Sequence, residues 1–255
     1  MRWATAAALL ASGALGVTGC REDDGKRQPG AKPRLVVSAA ASMKEALERC
    51  SPKFEATDVR LSFAGSDELA TQIRRGLKPD VYAAANTELP ARLNREGLLE
   101  QPVEIATNRL VVGVPRDSEV DSVEDLAQGG LKLVIGSRSV PIGAYTREVL
   151  SRLPARVARA ILANVRSNEP DVRGIVGKLT QGAADAGLIY ESDVRATGGE
   201  LRSVALPGRL QPEVVYAGGV VRGARQPRPA RRYVADLARG RCQKALLAAG
   251  FGSPQ

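Results

Sequence analysis

Short apolar runs rich in β-branched residues alternate along the chain with segments whose apolar residues recur every three or four positions. The first pattern predicts strands and the second predicts helices. Their alternation predicts an α/β fold with mainly parallel sheets, in which ligands bind where the carboxyl ends of strands meet helix N-termini. Strands are expected at 34–38, 58–63, 80–84, 109–115, 131–136, 186–190, 202–206 and 213–221, and helices at 43–50, 67–76, 88–97, 122–128, 143–152, 155–163, 171–181 and 230–249.

The transition from the first strand to the first helix is rich in small residues. Residues 36–47 read VVSAAASMKEAL, so Ser42 stands at the head of the helix. Ser42 and Glu45 fit a capping box, in which both side chains satisfy free N–H groups of the helix end. Alternatively, the small side chains leave those N–H groups open to an anion. Comparable openings occur at 64–70, 140–145 and 168–174, and together they suggest a cleft lined with backbone donors.

The first twenty residues carry the features of a targeting segment. A positive charge at position 2 precedes an apolar run at 4–15 that is too short to span a membrane, and the following VTGC resembles a bacterial lipobox. We therefore predict a lipoprotein signal peptide at 1–19, lipidation of Cys20 and a flexible polar tether at 20–33. An ordinary secretory signal is the alternative. The protein is accordingly expected outside the cytoplasm, anchored by its lipid to a bacterial membrane on the periplasmic or cell-surface side.

Composition and charge change this picture little. The 255 residues are 44% hydrophobic and 25% charged, which suits one large globular domain or two small ones. The net charge of +9 is spread along the chain, and only 4% of residues are aromatic. A nucleic-acid-binding protein would usually concentrate its basic residues in a patch or arm, so we expect an arginine-rich soluble surface and no nucleic-acid partner.

Several catalytic classes are excluded by the residues themselves. The chain has no histidine, which rules out a Ser-His-Asp hydrolase and a histidine-ligated metal centre, and no other metal site is evident. Residues 174–180 resemble part of a phosphate-binding P-loop, but Val172 occupies its first glycine position and Leu179 replaces its Ser or Thr. Cys50 and Cys242 can form a disulfide in an oxidising compartment or remain small core residues.

Seven segments resemble, in the same order, the molybdate-binding proteins of bacterial ABC importers. The resemblance covers nearly the whole mature chain and implies a two-lobe periplasmic-binding-protein (type II) fold, with hinge strands between lobes that close on one oxyanion. It implies a first lobe made of 34–112 and 215–255 and a second lobe at 113–214. The segments are AAASM (39–43), FAGS with the following LA and I (63–73), PDVYAAAN (79–86), NRLVV (108–112), VPIGAY (140–145), PDVRG (170–174) and ADAGLIYESD (184–193).

The resemblance also implies a ligand set. Ser42 and Ser66 would offer hydroxyl and backbone N–H groups, Ile142 and Val172 their backbone N–H groups, and Tyr190 its phenol. The expected ligand is molybdate or tungstate, bound as an oxyanion without direct metal ligation, and the expected activity is capture, with no catalysis and no cofactor. The expected partners are the membrane subunits of an ABC transporter, and the chain is expected to be a monomer.

Three positions depart from the family pattern. Ile142 stands where alanine is frequent, which a main-chain donor tolerates. Asp67 follows Ser66 where a small or polar residue is common, and we expect its carboxylate to face the helix dipole and solvent, because an inward carboxylate would repel a dianion. Asn86 replaces the usual aspartate. Because the last helix of this family returns to the first lobe, the resemblance further implies a disulfide between Cys50 and Cys242.

Other functions stay open at this point. The main alternative is a two-lobe receptor for a different anion or a small carboxylate. The effector-sensing modules of bacterial transcription regulators share the general fold, but they carry a DNA-binding segment instead of a lipobox. A purely structural cell-surface lipoprotein would not need loops of this kind.

Overall fold

The computed structural model describes residues 32–55 and 57–254, which contain two five-stranded sheets flanked by helices. The predicted signal peptide, Cys20 and most of the predicted tether lie outside the described residues. The strands are β1 (Arg34–Ala40), β2 (Asp58–Ala64), β3 (Val81–Ala84), β4 (Val103–Asn108), β5 (Leu110–Pro115), β6 (Leu133–Gly136), β7 (Val165–Glu169), β8 (Ala186–Tyr190), β9 (Leu201–Ala205) and β10 (Val214–Val220). The helices are α1 (Lys44–Cys50), α2 (Ser66–Arg74), α3 (Glu88–Arg95), α4 (Pro141–Ser151), α5 (Ala155–Ala163), α6 (Val172–Thr180), α7 (Glu191–Ala196), α8 (Pro227–Arg239) and α9 (Arg241–Ala248).

The two sheets are built from different parts of the chain. The first has the strand order β2-β1-β3-β10-β4, and the second has the order β7-β6-β8-β5-β9. The α/β class is confirmed, but both sheets are mixed where mainly parallel sheets were expected: each combines parallel pairs with antiparallel ones. The reason is the path of the chain, which passes from the first sheet to the second after β4 and returns before β10, so that strands on either side of each crossing run back against their neighbours.

The register of β1 and β2 positions the loops that follow them. These parallel strands pair in step from Arg34 opposite Asp58 to Ala40 opposite Ala64. Ser42 and Ser66 each lie two residues beyond the last pair, so the two serines emerge side by side at the carboxyl edge of the sheet. Because parallel strands present their carboxyl ends at one edge, the register brings together two helix openings that are distant in sequence.

Some elements differ from those expected from the sequence. The strands β4 and β7 and the short helix α7 were not predicted, and only a 3₁₀ turn at Glu124–Ala127 occupies the expected helix at 122–128. The helix expected at 230–249 is divided at Gly240 into α8 and α9. The Asp236 carboxylate accepts hydrogen bonds from the N–H groups of Arg241 and Cys242, which starts a new helix. A Cβ on Gly240 would lie 1.9 Å from Asp236 Oδ1, so the break requires glycine.

A disulfide joins the first helix of the described chain to the last one. Cys50 at the end of α1 is bonded to Cys242 in α9, with the Cα atoms 5.1 Å apart and the residues 192 positions apart in sequence. Both cysteines are buried in the hydrophobic core. The bond therefore holds the C-terminal helices against the first sheet, to which the N-terminal strands belong. None of the described helices combines the length and the apolar character needed to cross a membrane.

Candidate functional site

Loops from both sheets meet around one small cavity of about 20 Å³. The first sheet contributes the segments after β1, β2 and β3, and the second contributes the starts of α4 and α6 and the end of β8. Of the described residues that line the cavity, none is a lysine or an arginine. The lining residues are Ala40, Ala41, Ser42, Ala64, Gly65, Ser66, Ala85, Val140, Pro141, Ile142, Asp171, Val172 and Tyr190. All five residues of the expected ligand set are among them.

Ser42 does not cap the first helix. It lies in a 3₁₀ turn at Ala41–Met43, and its buried hydroxyl shares a 2.8 Å hydrogen bond with the Tyr216 hydroxyl. The capping box with Glu45 is therefore absent, since α1 has no side-chain cap. Glu45 instead forms an ion pair of 2.5 Å with Arg173 at the start of α6. The serine is held by a residue of β10, and the glutamate contacts the opposite side of the cavity.

Ser66 fixes the loop after β3 against the start of α2. Its hydroxyl accepts a hydrogen bond from the Ala85 N–H at 3.1 Å, and its carbonyl accepts one from the buried Tyr82 hydroxyl at 2.7 Å. The start of α2 has no side-chain cap, so its first N–H groups remain available. A Cβ on Gly65 would lie 2.4 Å from the Pro170 carbonyl oxygen, so glycine allows the loops of the two sheets to approach closely.

The second sheet supplies two more helix starts. At α4, Pro141 occupies the first turn and no side chain caps the helix, which leaves the Ile142 N–H without an intrahelical acceptor. A Cβ on Gly143 would lie 1.8 Å from the Ser137 carbonyl oxygen, so glycine lets this helix sit directly on the end of β6. At α6, the Asp171 carboxylate accepts a hydrogen bond from the Gly174 N–H at 3.1 Å, which leaves the Val172 N–H free of the cap.

Tyr190 places an unused hydroxyl at the cavity. Its side chain is 1% exposed, and the hydroxyl has no hydrogen-bond partner among the described residues. The ring packs edge-on against Tyr145 and Tyr216, with centroid distances of 6.5 and 5.8 Å. Burial raises the pKa of this phenol well above its ordinary value, so it stays a neutral donor. A buried hydroxyl without a partner is costly, and it indicates a site where a ligand completes the bond.

Of the three positions that depart from the family pattern, Asn86 and Asp67 have different roles in the structure. Asn86 has a local role, because its side-chain oxygen accepts a hydrogen bond from the Leu89 N–H at the start of α3. The expectation that Asp67 faces solvent is wrong for one of its oxygens. Asp67 Oδ1 is buried without a hydrogen-bond partner among the described residues, and it lies 3.0 Å from where a Cβ on Gly65 would stand. The tight packing of the loops around Gly65 shields this oxygen from water.

Two residues beneath the cavity were missed by sequence reasoning. Tyr216 holds Ser42, and Asp193 is buried at the start of α7, where its carboxylate accepts a hydrogen bond from the Tyr190 N–H at 3.3 Å. Burial, with Glu45 and Asp171 as further contributors, raises the pKa of Asp193 to about 8. For Tyr216, the sequence offered one signal, which is that tyrosine is rare in this chain. The chain has five tyrosines, and the structure fully buries four of them.

Two contacts connect the sides of the cavity contributed by different sheets. One is the ion pair between Glu45 on α1 and Arg173 on α6. The other is a 3.3 Å hydrogen bond from the Tyr145 hydroxyl on α4 to the Ala85 carbonyl after β3. Across residues 32–55 and 57–254, no group of three or more His, Cys, Asp or Glu could hold a metal ion. The arrangement supplies hydrogen-bond donors and the positive ends of helices, which suits a small anion.

The chain is similar to several known proteins. Residues 35–252 match the model of a family described as bacterial extracellular solute-binding protein. The chain is 33% identical to the molybdate-binding protein ModA of Mycobacterium tuberculosis over 100% of both chains. It is 26% identical to the putative ABC transporter substrate-binding lipoprotein YvgL of Bacillus subtilis over 92% of each. The periplasmic molybdate-binding protein of Azotobacter vinelandii shares the fold, with a TM-score of 0.76 and 18% identity over 87% of this chain and 100% of that one.

Proposed function

The chain belongs to the bacterial extracellular solute-binding protein family, and we propose that it captures molybdate or tungstate for an ABC importer. As a member of this family it is a binding protein of a transporter and not an enzyme. The observation that carries the choice of an oxyanion is the buried Tyr190 hydroxyl, which has no hydrogen-bond partner among the described residues and lies at a cavity surrounded by helix starts. The relatives named molybdate-binding protein support the choice of ion.

The proposed ligands are Ser42, Ser66, Ile142, Val172 and Tyr190. What supports this set is that all five line the cavity and that every one of them can donate a hydrogen bond. No cationic side chain is needed, because the partial positive charge at helix N-termini stabilises a dianion. The Asp171 carboxylate, which also lines the cavity, is occupied by the Gly174 N–H.

Calorimetric titration with molybdate tests this set. We expect Tyr190→Phe, Ser42→Ala and Ser66→Ala each to lower the affinity by about tenfold or more, because each removes a hydrogen bond to a charged group. Tyr233→Phe is the matched control, since this buried tyrosine donates to or accepts from Ser51 and does not line the cavity. Unchanged affinity in all three site variants would move the binding site elsewhere.

The donors also set the expected selectivity. The five proposed ligands act as donors to the ion, so none of them accepts the proton of hydrogen phosphate, whose buried hydroxyl would remain unpaired. Sulfate is fully ionised, but its shorter bonds reach fewer donors from both sides. In a thermal-shift series, molybdate and tungstate should raise the melting temperature most, sulfate weakly and phosphate least. A larger shift with phosphate would implicate Asp67 as an acceptor, and a response only to small carboxylates would favour the alternative receptor.

We further propose that the two sheets form two lobes, 34–112 with 215–255 and 113–214, which close on the ion. A ligand that contacts both lobes stabilises the closed state through its differential affinity for it. The contacts Glu45–Arg173 and Tyr145–Ala85, which join elements on different sheets, support this reading. The closed monomer is then the form that the membrane subunits of the transporter recognise.

The proposed location is the periplasmic or cell-surface side of a bacterial membrane, with Cys20 lipidated and residues 20–33 as the tether. The likeness to a relative described as a lipoprotein supports this location, as does the lipobox-like VTGC. Mass spectrometry of the mature N-terminal peptide tests it directly. Replacement of Cys20 by Ala should release the protein from the membrane fraction, whereas an unmodified Cys20 in membrane-bound protein would contradict the anchor.

A further inference from the structure

A basic groove of about 710 Å³ lies far from the ligand cavity. It is formed by the segment before β2, one face of α8 and the start of α9. Its lining contains five basic and two acidic residues. The basic residues are Lys53, Arg232, Arg239, Arg241 and Lys244, and the acidic residues are Glu55 and Asp236.

The two acidic side chains of the groove are occupied within the fold. Glu55 forms an ion pair with Arg232 at 2.9 Å, and Asp236 accepts hydrogen bonds from the backbone at the start of α9. The other four basic side chains are exposed and form no ion pair with a described carboxylate. The groove therefore presents an excess of positive charge to solvent.

The groove lies beside the point where the proposed tether joins the fold. The Asp58 N–H at the start of β2 donates a hydrogen bond of 3.0 Å to the Pro33 carbonyl. Glu55 precedes Asp58 by three residues, a length of chain that spans at most about 11 Å. A chain held by a lipid at Cys20 would thus carry the groove close to the membrane surface, where the short tether raises its local concentration.

The ligand cavity lies at the opposite end of the same sheet. β1 runs seven residues from Arg34, next to the tether, to Ala40, which lines the cavity. At about 3.3 Å per residue this strand separates the two ends by roughly 20 Å. An interaction at the groove therefore leaves the cavity accessible.

We propose that this groove docks on anionic phospholipid headgroups of the membrane that carries the anchor, and so holds the protein upright with its ligand cavity directed away from the bilayer. The inference rests on the proposed lipid anchor. Anionic headgroups match the groove because several exposed cations face them at once, and each basic residue near such a surface adds to the attraction. In the docked orientation the protein can bind the ion but not deliver it, because delivery requires the cavity to turn toward the transporter in the membrane.

Vesicle binding by the chain without its lipid tests the groove apart from the anchor. Residues 32–255 form one compact unit, so residues 21–255 can be used as a soluble protein. We expect this protein to co-sediment with phosphatidylcholine vesicles that contain about 30% phosphatidylglycerol, and to bind pure phosphatidylcholine at least about tenfold more weakly. The triple variant Lys53→Gln, Arg239→Gln, Lys244→Gln should lose about tenfold or more of the binding to anionic vesicles.

A second triple variant separates the groove from the net charge. Arg138→Gln, Arg156→Gln and Arg159→Gln remove three exposed charges from the part of the chain that forms the second sheet and its helices, and should change vesicle binding by less than about threefold. Equal losses in the two variants would overturn the proposal. So would displacement by inorganic phosphate beyond that by chloride of matched ionic strength, which would indicate a phosphate site. Molybdate affinity, measured on the same variants, should be unchanged, so failure of the groove is distinguishable from failure of the proposed capture function.

Discussion

Replacement of Asp193 by Asn should stabilise the folded protein at neutral pH. The carboxyl is 5% exposed, and burial raises its pKa from 3.8 to about 8. The folded state therefore keeps this proton between about pH 4 and pH 8, whereas the unfolded state loses it. At pH 7 the resulting cost to folding is about 4 kcal/mol, because each pKa unit corresponds to about 1.4 kcal/mol. Asn avoids this cost and still offers an oxygen to the Tyr190 N–H.

Urea unfolding at several pH values checks the reasoning. The stability gained by Asp193→Asn should be near zero at about pH 4 and should grow by up to about 1.4 kcal/mol per pH unit until about pH 8, where it levels off. The matched control is Asp117→Asn, the same replacement at an exposed aspartate, which should leave the stability at pH 7 within about 0.5 kcal/mol of the parent. A gain that does not vary with pH, or a variant less stable than the parent at pH 7, would refute the assignment of a neutral carboxyl beneath the site.

Three further predictions concern the disulfide, the ion pair and Asp67. Removal of the disulfide in Cys50→Ser/Cys242→Ser should lower the free energy of unfolding by up to about 5 kcal/mol, since the bond closes a loop of 192 residues; two titratable thiols in the unreduced parent would contradict this. A double-mutant cycle of Glu45→Gln and Arg173→Gln, read from the rate of molybdate release, should give a coupling of about 0.2–1 kcal/mol at low salt that vanishes at high salt, because both side chains are partly exposed. No coupling at low salt would show that this ion pair does not hold the two sides of the cavity together. Asp67→Asn should raise molybdate affinity several-fold by calorimetry, because it replaces a buried carboxylate oxygen that has no hydrogen-bond partner in the described part of the chain, and a lower affinity would show that the carboxylate supports binding.

The elements that the sequence predicted best are those whose own residues form an apolar run. β8 is a continuous apolar run that is buried throughout, and β1 is apolar from Leu35 to Ala40 except for Ser38, with five of its seven residues buried. β4 and β7 were missed because they are edge strands in which at least half of the residues are polar, VEIATN and VRSNE, so no apolar run marks them. The division at Gly240 was missed because it depends on the side chain of Asp236, which accepts the N–H groups that begin α9.

Some features of the site likewise depend on short segments of sequence, whereas others depend on residues that are distant in sequence. The loops with Ser42 and Ser66 stand out in sequence because small residues follow a strand at each. The hydrogen bond between Ser42 and Tyr216 joins residues 174 positions apart, and the burial of Asp193 results from several packed elements, so neither leaves a mark in a short segment. The mixed direction of the strands likewise follows from the two crossings between sheets, which no local pattern encodes.

The pairing of β1 with β2 limits the size of the ion that the site can bind. Ser42 and Ser66 each follow the pair Ala40–Ala64 by two residues, and neighbouring strands lie about 4.8 Å apart, so the strand pairing sets the spacing at which the two serine loops begin. Substitutions around the cavity can therefore alter the strength of binding while the spacing persists. A single inserted or deleted residue between Asp58 and Ser66 would shift one serine against the other and turn its side chain to the opposite face. Within this architecture, a change in ion size is reached more readily through the length of a strand or loop than through exchange of one side chain for another.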